Sequence, residues 1–362
     1  MARQNKSNEL AEMLRHQITS GQLQANGQLE AIAKLAKRHD TTVATVSKAL
    51  ASLEQAGYVE RFPGKGVFVK ARQNCRLALV MDSAFSYDST SVSLLPILLN
   101  ELERKCQEES WAYELFFSVN DKSSAQAFLL KLAQNAFDAI LICSRWVAEN
   151  SADIFKGKSV FTVGVYAYKE LELSISFDEY KMAYDAVMEL DRRGCRQIAF
   201  VDRNKDLSWS KNPDSGVRGY YDGLKNIGQL RNSQLYLKVP VSQQGGYDAF
   251  CKLLSDAMPR PFGIISNDSM LTMGGIQAVL SKKFRIPEDV IIASHANQGC
   301  GAAQFPIPII KYEYPINANL DLIAKYIKLH NAGQNPPSGV VLLPPIKIVD
   351  SLLDKQLCIE VL

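Results

Sequence analysis

The chain has 362 residues, of which 47% are hydrophobic and 22% are charged, and its formal net charge at pH 7 is +3. This length suffices for two or three compact units, and the composition is that of a globular protein rather than a disordered one. We expect neither a secretory signal nor a membrane span, because no apolar run follows the N-terminus and no window approaches about 18 uninterrupted apolar residues. The seven cysteines lack metal-ligand or redox spacing, so we expect buried thiols in the reducing cytoplasm, with no metal and no cofactor.

The first 70 residues show the pattern of three helices followed by a hairpin. Helices are predicted over residues 7–20 and 29–39, and a third helix is predicted to begin after the N-cap residue Thr42 and to end at Gly57. Four apolar residues of the third helix recur at helical spacing and are predicted to pack inward: Val43, Val46, Leu50 and Leu53. The alternation that follows is broken by Pro63-Gly64-Lys65-Gly66, which predicts a short hairpin with a basic tip.

A helix followed by a basic hairpin is a winged helix-turn-helix, a DNA-reading module. The free face of the third helix is small and polar, which suits a helix lying deep in a major groove. Residues 1–73 carry 11 Lys and Arg against 6 Asp and Glu, so the positive charge is concentrated at this end. The predicted DNA contacts are Lys34, Thr42, Ala44, Thr45, Ser47, Lys48, Arg61, Lys65 and Gly66. The alternative is an amphipathic helix and hairpin in a small core, with Lys34 on an ordinary basic surface.

This module resembles the GntR family of DNA-binding domains over about its first 70 residues. The resemblance is carried by residues 10–21, Leu29, Leu35-Ala36, Thr45-Val46, Ala49-Leu50, Leu53, Gly57 and residues 64–69. The arginines that the family usually has in its recognition helix fall on Val43 and Ser47. Residues 43–48 instead resemble the recognition helix of the LacI family, so the operator sequence cannot be inferred from either family.

From Cys75 onward, predicted strands and helices alternate with short links. Strands are predicted over residues 77–81, 113–119, 139–143, 159–165, 197–201, 262–266 and 290–294. Helices are predicted over residues 94–109, 123–135, 180–193, 216–227, 247–258 and 270–282. This alternation predicts an α/β fold with parallel sheets, and the number of strands favours two lobes over one open sheet.

Ligands of such sheets bind beyond the carboxyl ends of the strands, or in the cleft where two lobes face each other. The segments after the predicted strands hold carboxylates, amides, arginines and aromatic rings, which are side chains that suit sugar hydroxyls and the apolar face of a sugar ring. They are Asp82-Ser83-Ala84-Phe85, Ser144-Arg145-Trp146, Asp178, Asp202-Arg203, Asn267-Asp268 and His295-Ala296-Asn297. At each position the alternative is an ordinary turn or helix-cap residue, as is common for Asp and Asn.

Residues from about 76 to 353 resemble the effector domain of LacI-type repressors, which is similar to type I periplasmic sugar-binding proteins. The resemblance is carried by Phe177-Asp178 and by residues 192–200, 218–220, 261–268 and 286–290. It implies two lobes joined by three crossovers, a dimer, and a small ligand in the cleft contacted by Arg218, Asn267 and the loop after Met81, with Asp178 near the first crossover. The family's Gly-Phe-Asp-Asp falls on residues 294–297, so its ligand-binding aspartate is missing or replaced by Asn297. The loop from Arg203 to Asp214 has no close counterpart, and we expect its Trp209 to shape the ligand pocket.

The predicted organisation is a winged helix-turn-helix in residues 1–70, a linker in residues 71–75 and an effector-binding and dimerisation domain in residues 76–362. Lobe 1 is placed at about residues 76–176 and 300–335, and lobe 2 at about residues 177–299 and 336–362. A GntR-type reader on a LacI-type sensor is the arrangement of the arabinose-repressor subgroup.

The sequence thus predicts a cytoplasmic homodimer that reads a near-palindromic DNA operator. It most resembles a repressor of carbohydrate-utilisation genes that a sugar or sugar derivative releases. Two alternatives stay open: a sugar-modifying α/β enzyme with an accessory DNA-binding domain, and a regulator that answers a non-sugar ligand such as a nucleoside. Neither a catalytic motif nor metal-ligand spacing is found.

Overall fold

The computed structural model contains an N-terminal helical module with a β-hairpin, followed by two separate parallel sheets flanked by helices. It describes residues 2–19, 22–24, 26–70, 75–82, 94–118, 122–135, 137–143, 145–150, 154–155, 160–163, 173–204, 215–299, 307–331, 334 and 339–350. The predicted α/β class, with a winged helix-turn-helix at its head, is confirmed.

The N-terminal module consists of three helices and a two-stranded wing. The elements are α1 (Ala2–Thr19), α2 (Ile32–Arg38), α3 (Val43–Gln55), β1 (Val59–Phe62) and β2 (Gly66–Val69). The two strands pair antiparallel, and the helices and wing share one apolar core. The second helix begins three residues later than predicted, because Ala31 has an extended ψ of 140°.

The prediction is wrong for one core residue of this module. Val46, Leu50 and Leu53 are buried as expected, but Val43 is 54% exposed. Val43 is the first residue of α3 and lies one turn before the buried stripe begins. Helical spacing alone cannot show where the core ends along a helix axis, and here it ends before Val43.

A four-stranded parallel sheet follows the N-terminal module. Its elements are β3 (Arg76–Asp82), α4 (Leu94–Glu109), β4 (Ala112–Ser118), α5 (Lys122–Gln134), β5 (Ala139–Cys143), α6 (Arg145–Asn150) and β6 (Val160–Thr162). The strand order is β4-β3-β5-β6, and all pairs are parallel. The residues of β5 are buried throughout, as expected for a central strand covered on both faces.

The second sheet has six strands. Its part of the chain comprises β7 (Leu173–Phe177), α7 (Glu179–Arg192), β8 (Ile198–Arg203), α8 (Ser215–Asn226), β9 (Tyr236–Val239), α9 (Gln243–Leu253), β10 (Phe262–Ser266), α10 (Ser269–Ser281), β11 (Val290–Asn297), β12 (Ile310–Tyr314), α11 (Ile316–Asn331), β13 (Gly339–Leu343) and β14 (Ile346–Val349). The order is β14-β12-β11-β10-β8-β9, and only β14 is antiparallel to its neighbour. Strands β7 and β13 form a separate parallel pair.

Several of these elements are absent from the sequence-based prediction. The helix over residues 247–258 lies instead at Gln243–Leu253, and the strands β7, β9, β12, β13 and β14 were not predicted. The predicted lobe-1 segment 300–335 is divided between the sheets: β12 pairs with β11 in the six-stranded sheet, whereas α11 packs against α4. Within the described ranges, no helix combines the length and apolar character that a bilayer span requires.

Candidate functional site

The candidate DNA-reading surface of the N-terminal module is the exposed face of α3 together with the wing. The Thr42 hydroxyl accepts a hydrogen bond from the Thr45 backbone N–H at 3.2 Å, which confirms the predicted N-cap and fixes the start of α3. Ala44 and Lys48 are exposed, Thr45 and Ser47 are half-buried, and Lys34 is exposed on α2. Val43 joins this exposed face, although its helical spacing had predicted a place in the core.

The wing is held against the rest of the module. The Gln28 side-chain amide donates to the Lys65 carbonyl oxygen at 2.6 Å, and a Cβ at Gly66 would lie only 2.7 Å from that amide nitrogen. Gly66 also has a φ of +109°, so its backbone conformation favours glycine, and a side chain there would displace the Gln28 amide. Lys65 and Gly66 are exposed at the tip, where they can reach DNA phosphates.

Arg61 connects the wing to the recognition helix. Its guanidinium donates to the Ser47 carbonyl oxygen at 2.9 Å, and its Nε lies 3.1 Å from a carboxylate oxygen of Glu54. Arg61 was predicted to contact DNA. Its observed partners give it the role of setting the angle between wing and helix, and a DNA contact by Arg61 remains a prediction.

The second candidate site lies at the carboxyl ends of β8, β10 and β11. Asn267 directly follows β10, and its side-chain N–H donates to the Asp202 carboxylate at 3.0 Å. The second oxygen of Asp202 accepts a hydrogen bond from the Tyr236 hydroxyl, also at 3.0 Å. Because a carboxylate only accepts, this contact assigns the Asn267 amide nitrogen to Asp202 and leaves Oδ1 facing elsewhere.

Asn267 Oδ1 and His295 Nε2 are among the buried polar atoms at this site that have no hydrogen-bond partner in the described residues. Asn267 is 2% exposed and His295 is 8% exposed. Leaving a buried polar atom unsatisfied costs about 1–3 kcal/mol, so such atoms concentrate where a ligand or water completes them. The edge of the Phe177 ring packs against the His295 imidazole, with ring centroids 5.1 Å apart, and supplies an apolar wall.

A buried ion pair lies beside these atoms. Arg203, the last residue of β8, pairs with Glu179, the first residue of α7, and both are 5% exposed. The Ser215 hydroxyl lies 3.4 Å from the other Glu179 oxygen. Burial raises the pKa of Glu179, and the Arg203 guanidinium opposes this shift. Arg203 was predicted as a strand-end residue of the site. Glu179 was not predicted, because the first residue of a helix carries no sequence signal for a buried charge.

Close packing of α7 and α8 brings Glu179 and Ser215 together. A Cβ at Gly219 would lie 2.1 Å from the Tyr180 carbonyl oxygen, so only glycine permits this approach. Gly216 faces the site: a Cβ there would lie 3.3 Å from the Asn267 amide nitrogen. The α8 backbone therefore approaches the Asn267 side chain closely at Gly216.

The structure separates Arg218 from this group, contrary to what the family resemblance implies. Arg218 is two residues from Gly216, which turns it by about 200° around α8, and its side chain is exposed. Its charge acts on Tyr180, whose hydroxyl donates to Asp222 at 2.9 Å. An effector contact by Arg218 remains a prediction, which its position on α8 does not favour.

The other predicted ligand residues have varied placements. The Asp178 and Asp268 carboxylates cap α7 and α10, accepting from Lys181 N at 2.9 Å and Met270 N at 2.8 Å, which is the alternative role that the sequence left open. Asn297 is buried at the end of β11. Ser83, Phe85, Trp209 and the side chains of Asp82, Arg145 and Trp146 lie outside the described part of the structure.

The buried imidazole makes folding sensitive to acid. Burial, followed by the charge of Arg203, lowers the pKa of His295 to about 3. The unfolded chain binds this proton below about pH 6.5, whereas the folded chain does not until about pH 3, so stability falls as the pH drops through this window. At pH 5 the expected loss is about 2 kcal/mol. Replacing His295 with Gln should remove this loss, which denaturant unfolding at pH 7 and pH 5 measures. An equal pH dependence in both proteins would contradict the assignment.

Comparisons with known proteins agree with this architecture. Residues 6–69 match the family described as "Bacterial regulatory proteins, gntR family". Residues 92–302 match "Periplasmic binding proteins and sugar binding domain of LacI family", which is more than half of the chain. A similar curated protein is the "Arabinose metabolism transcriptional repressor" of Halalkalibacterium halodurans, 20% identical over 312 residues that cover 81% of this chain and 80% of that protein.

Solved structures share the fold at low sequence identity. The Escherichia coli transcriptional repressor ascG has a TM-score of 0.59 at 20% identity, covering 76% of this chain and 97% of that one. A LacI family transcription regulator from Clostridium acetobutylicum has a TM-score of 0.60 at 18% identity, covering 77% and 100%. The chain therefore belongs to the family of periplasmic binding proteins and the sugar-binding domain of LacI-type regulators, and with its gntR-type reader it is a ligand-responsive DNA-binding transcriptional regulator rather than an enzyme.

Proposed function

We propose that this protein represses carbohydrate-utilisation genes and leaves its operator when a small polyhydroxylated effector binds at the carboxyl ends of β8, β10 and β11. The unsatisfied pair of buried atoms, Asn267 Oδ1 and His295 Nε2, carries the proposal. An amide oxygen and a neutral imidazole next to an aromatic wall suit a hydroxylated ring. The arabinose-related name of one relative and the sugar-binding description of the family favour a sugar.

The local charge favours an uncharged effector over a phosphorylated one. Arg203 is already paired with Glu179, and the low pKa of His295 leaves its imidazole neutral at cellular pH. Asp202 adds a carboxylate beside Asn267. A phosphate group in this environment would meet the Asp202 carboxylate, and the neighbouring Arg203 is already ion-paired with Glu179.

A thermal-shift screen tests the effector class. The panel should contain free pentoses and hexoses, their phosphate esters, and purine bases and nucleosides, because several relatives are named PurR. A ligand at 100 times its dissociation constant stabilises the folded state by about 2.7 kcal/mol, which raises the melting temperature by a few degrees. A shift with the purines alone would overturn the carbohydrate proposal, and a shift with the phosphate esters alone would overturn the uncharged effector.

We further propose a cytoplasmic homodimer that reads a near-palindromic operator. In support, the edge strand β4 exposes Leu115 and Phe117, which are 37% and 42% accessible in the single chain. A sheet edge with exposed apolar side chains is a favourable surface for a second copy. Sedimentation equilibrium measures the mass of the assembly in solution.

The dimer gives the effector a way to act on DNA binding. The effector favours one arrangement of the lobes, which changes the spacing of the two DNA modules and lowers operator affinity.

We propose that the exposed residues of α3 and of the wing contact DNA bases or phosphates. Replacing Lys48 with Ala should weaken binding of a duplex, selected by the wild-type protein from a random pool, by about 1–3 kcal/mol. The cause is loss of a cation from the exposed face of α3. Fluorescence anisotropy measures the affinity, and Lys225→Ala on the exposed surface of α8 is the matched control. Equal affinity of the Lys48 and Lys225 variants would exclude Lys48 from the interface.

A further inference from the structure

A buried hydrogen bond joins the DNA-binding module to the four-stranded sheet. The Tyr58 hydroxyl donates to Asp138 Oδ1 at 2.5 Å, between residues 80 positions apart in the chain. Both partners are buried: Tyr58 is 0% and Asp138 is 4% exposed. A buried bond to a carboxylate is about twice as strong as a bond between neutral groups, so this contact constrains the orientation of the two units.

Asp138 is anchored on the effector-domain side. Its other oxygen, Oδ2, accepts from the Arg76 backbone N–H at 2.7 Å, and its own N–H donates to the Arg76 carbonyl oxygen at 2.8 Å. Arg76 is the first residue of β3, and Asp138 directly precedes β5. The carboxylate is therefore fixed to the ends of two neighbouring strands of the sheet.

Tyr58 is anchored on the other side, at the junction of α3 and the wing. Its N–H donates to the Leu53 carbonyl oxygen near the end of α3, and its carbonyl oxygen accepts from Lys70 N, each at 2.9 Å. The next strand carries Arg61, which contacts the Ser47 carbonyl oxygen of α3. A change in the position of Asp138 would therefore be transmitted to the recognition helix through rigid, hydrogen-bonded parts.

Charged groups from two further elements surround this contact. Arg15 of α1, whose side chain is 12% exposed, interacts with the Tyr58 hydroxyl. His330 at the end of α11 lies near Arg15, His16 and Asp138, and burial followed by the charge of Arg15 lowers its pKa. Both sides of the boundary thus contribute polar side chains, which distinguishes it from a chance contact of one pair.

We infer that Asp138 and Tyr58 are positioning residues that hold the DNA-binding module in one orientation on the four-stranded sheet. They act on DNA recognition through α3 and the wing, without touching DNA or effector. In the proposed dimer this contact sets the distance between the two recognition helices, so this part of the inference rests on the proposed function.

Hydrogen–deuterium exchange of the full-length chain, without DNA or effector, tests the contact. Tyr58→Phe should speed exchange of residues 54–70 about tenfold, because loss of a charge-assisted hydrogen bond raises the population of the undocked state by that factor. Asp138→Asn should accelerate the same segment, although the substitution lies outside the module. The matched control is Tyr180→Phe, which removes an exposed Tyr–Asp hydrogen bond from the α7–α8 surface and should leave residues 54–70 unchanged.

A double variant tests whether the two side chains interact directly. If Tyr58 and Asp138 act on each other, Tyr58→Phe combined with Asp138→Asn should exchange no faster than the more affected single variant. Additive effects would overturn the inference. So would unchanged exchange of residues 54–70 in Asp138→Asn, which is the outcome expected if Tyr58→Phe only disturbs the module's own core.

Selection of duplexes from a random pool separates positioning from base recognition. The Tyr58→Phe protein should enrich the same half-site sequence as the wild type, but with a broader distribution of half-site spacings. An unchanged, single spacing would overturn the positioning role. Failure of the wild-type protein to enrich any sequence would refute the proposed function, while the exchange result would still decide whether the contact couples the two units.

Discussion

Replacing Glu179 with Gln is expected to lower the free energy of unfolding by about 3 kcal/mol. The change removes the carboxylate that pairs with the buried Arg203 guanidinium at the end of β8. Removing one member of a buried ion pair is costly because the remaining charge has lost both its partner and its hydration. Denaturant unfolding followed by the fluorescence of the tryptophans measures the loss.

Two further variants show whether burial is the cause. Glu108→Gln breaks the exposed pair with Arg104 on α4 and should cost no more than about 1 kcal/mol. The double variant Glu179→Gln with Arg203→Met also removes the buried positive charge and should recover most of the stability. A double variant that is as unstable as Glu179→Gln alone would show that the ion pair is not the origin of the effect.

Replacing Asn267 with Ala should weaken effector binding by about 30-fold, or about 2 kcal/mol. The operator affinity measured without effector should stay within about twofold of the wild-type value. The Asn267 amide nitrogen donates to the Asp202 carboxylate, whereas Asn267 Oδ1 has no partner among the described residues. Truncation removes the acceptor that we assign to an effector hydroxyl, and it does not touch the DNA module. The measured quantity is the effector concentration that half-releases the selected duplex.

Arg218→Ala is the matched control for this experiment. The family resemblance implied an effector contact at Arg218, but its exposed position on α8 predicts a normal response. Loss of the response in Arg218→Ala, with a normal response in Asn267→Ala, would reverse the assignment of these two residues.

Much of the architecture follows from local patterns in the chain. The cap at Thr42, the buried stripe through Val46 and Leu50, and the glycine-containing wing turn are all read within a few residues. The strands that were predicted are continuous apolar runs such as Ala139–Cys143, which are buried because both faces of a parallel sheet are covered. The missed strands are short or alternate with polar residues, as in Leu173–Phe177, so no apolar run marks them.

The direction in which a side chain points around a helix was harder to predict from the sequence. Val43 and Arg218 both occupy helices that were predicted, yet both point to different surroundings than expected. Which side of a helix meets the core, and where along the helix that core ends, depends on neighbours that are distant in the chain. For α8 the neighbour is α7, which approaches closely enough that Gly219 has no room for a side chain.

The sequence by itself determined the two-part plan, and it predicted the strand ends and the face of α3 that we propose for effector and DNA, because each depends on spacing over a few residues. Only the tertiary structure showed that Glu179 meets Arg203, that Asn267 Oδ1 and His295 Nε2 are left without partners among the described residues, and that Tyr58 reaches Asp138 across 80 residues. These pairings join segments far apart in the chain. Hydrogen bonds and ion pairs act over a few ångströms, so they exist only after the chain has brought those segments together.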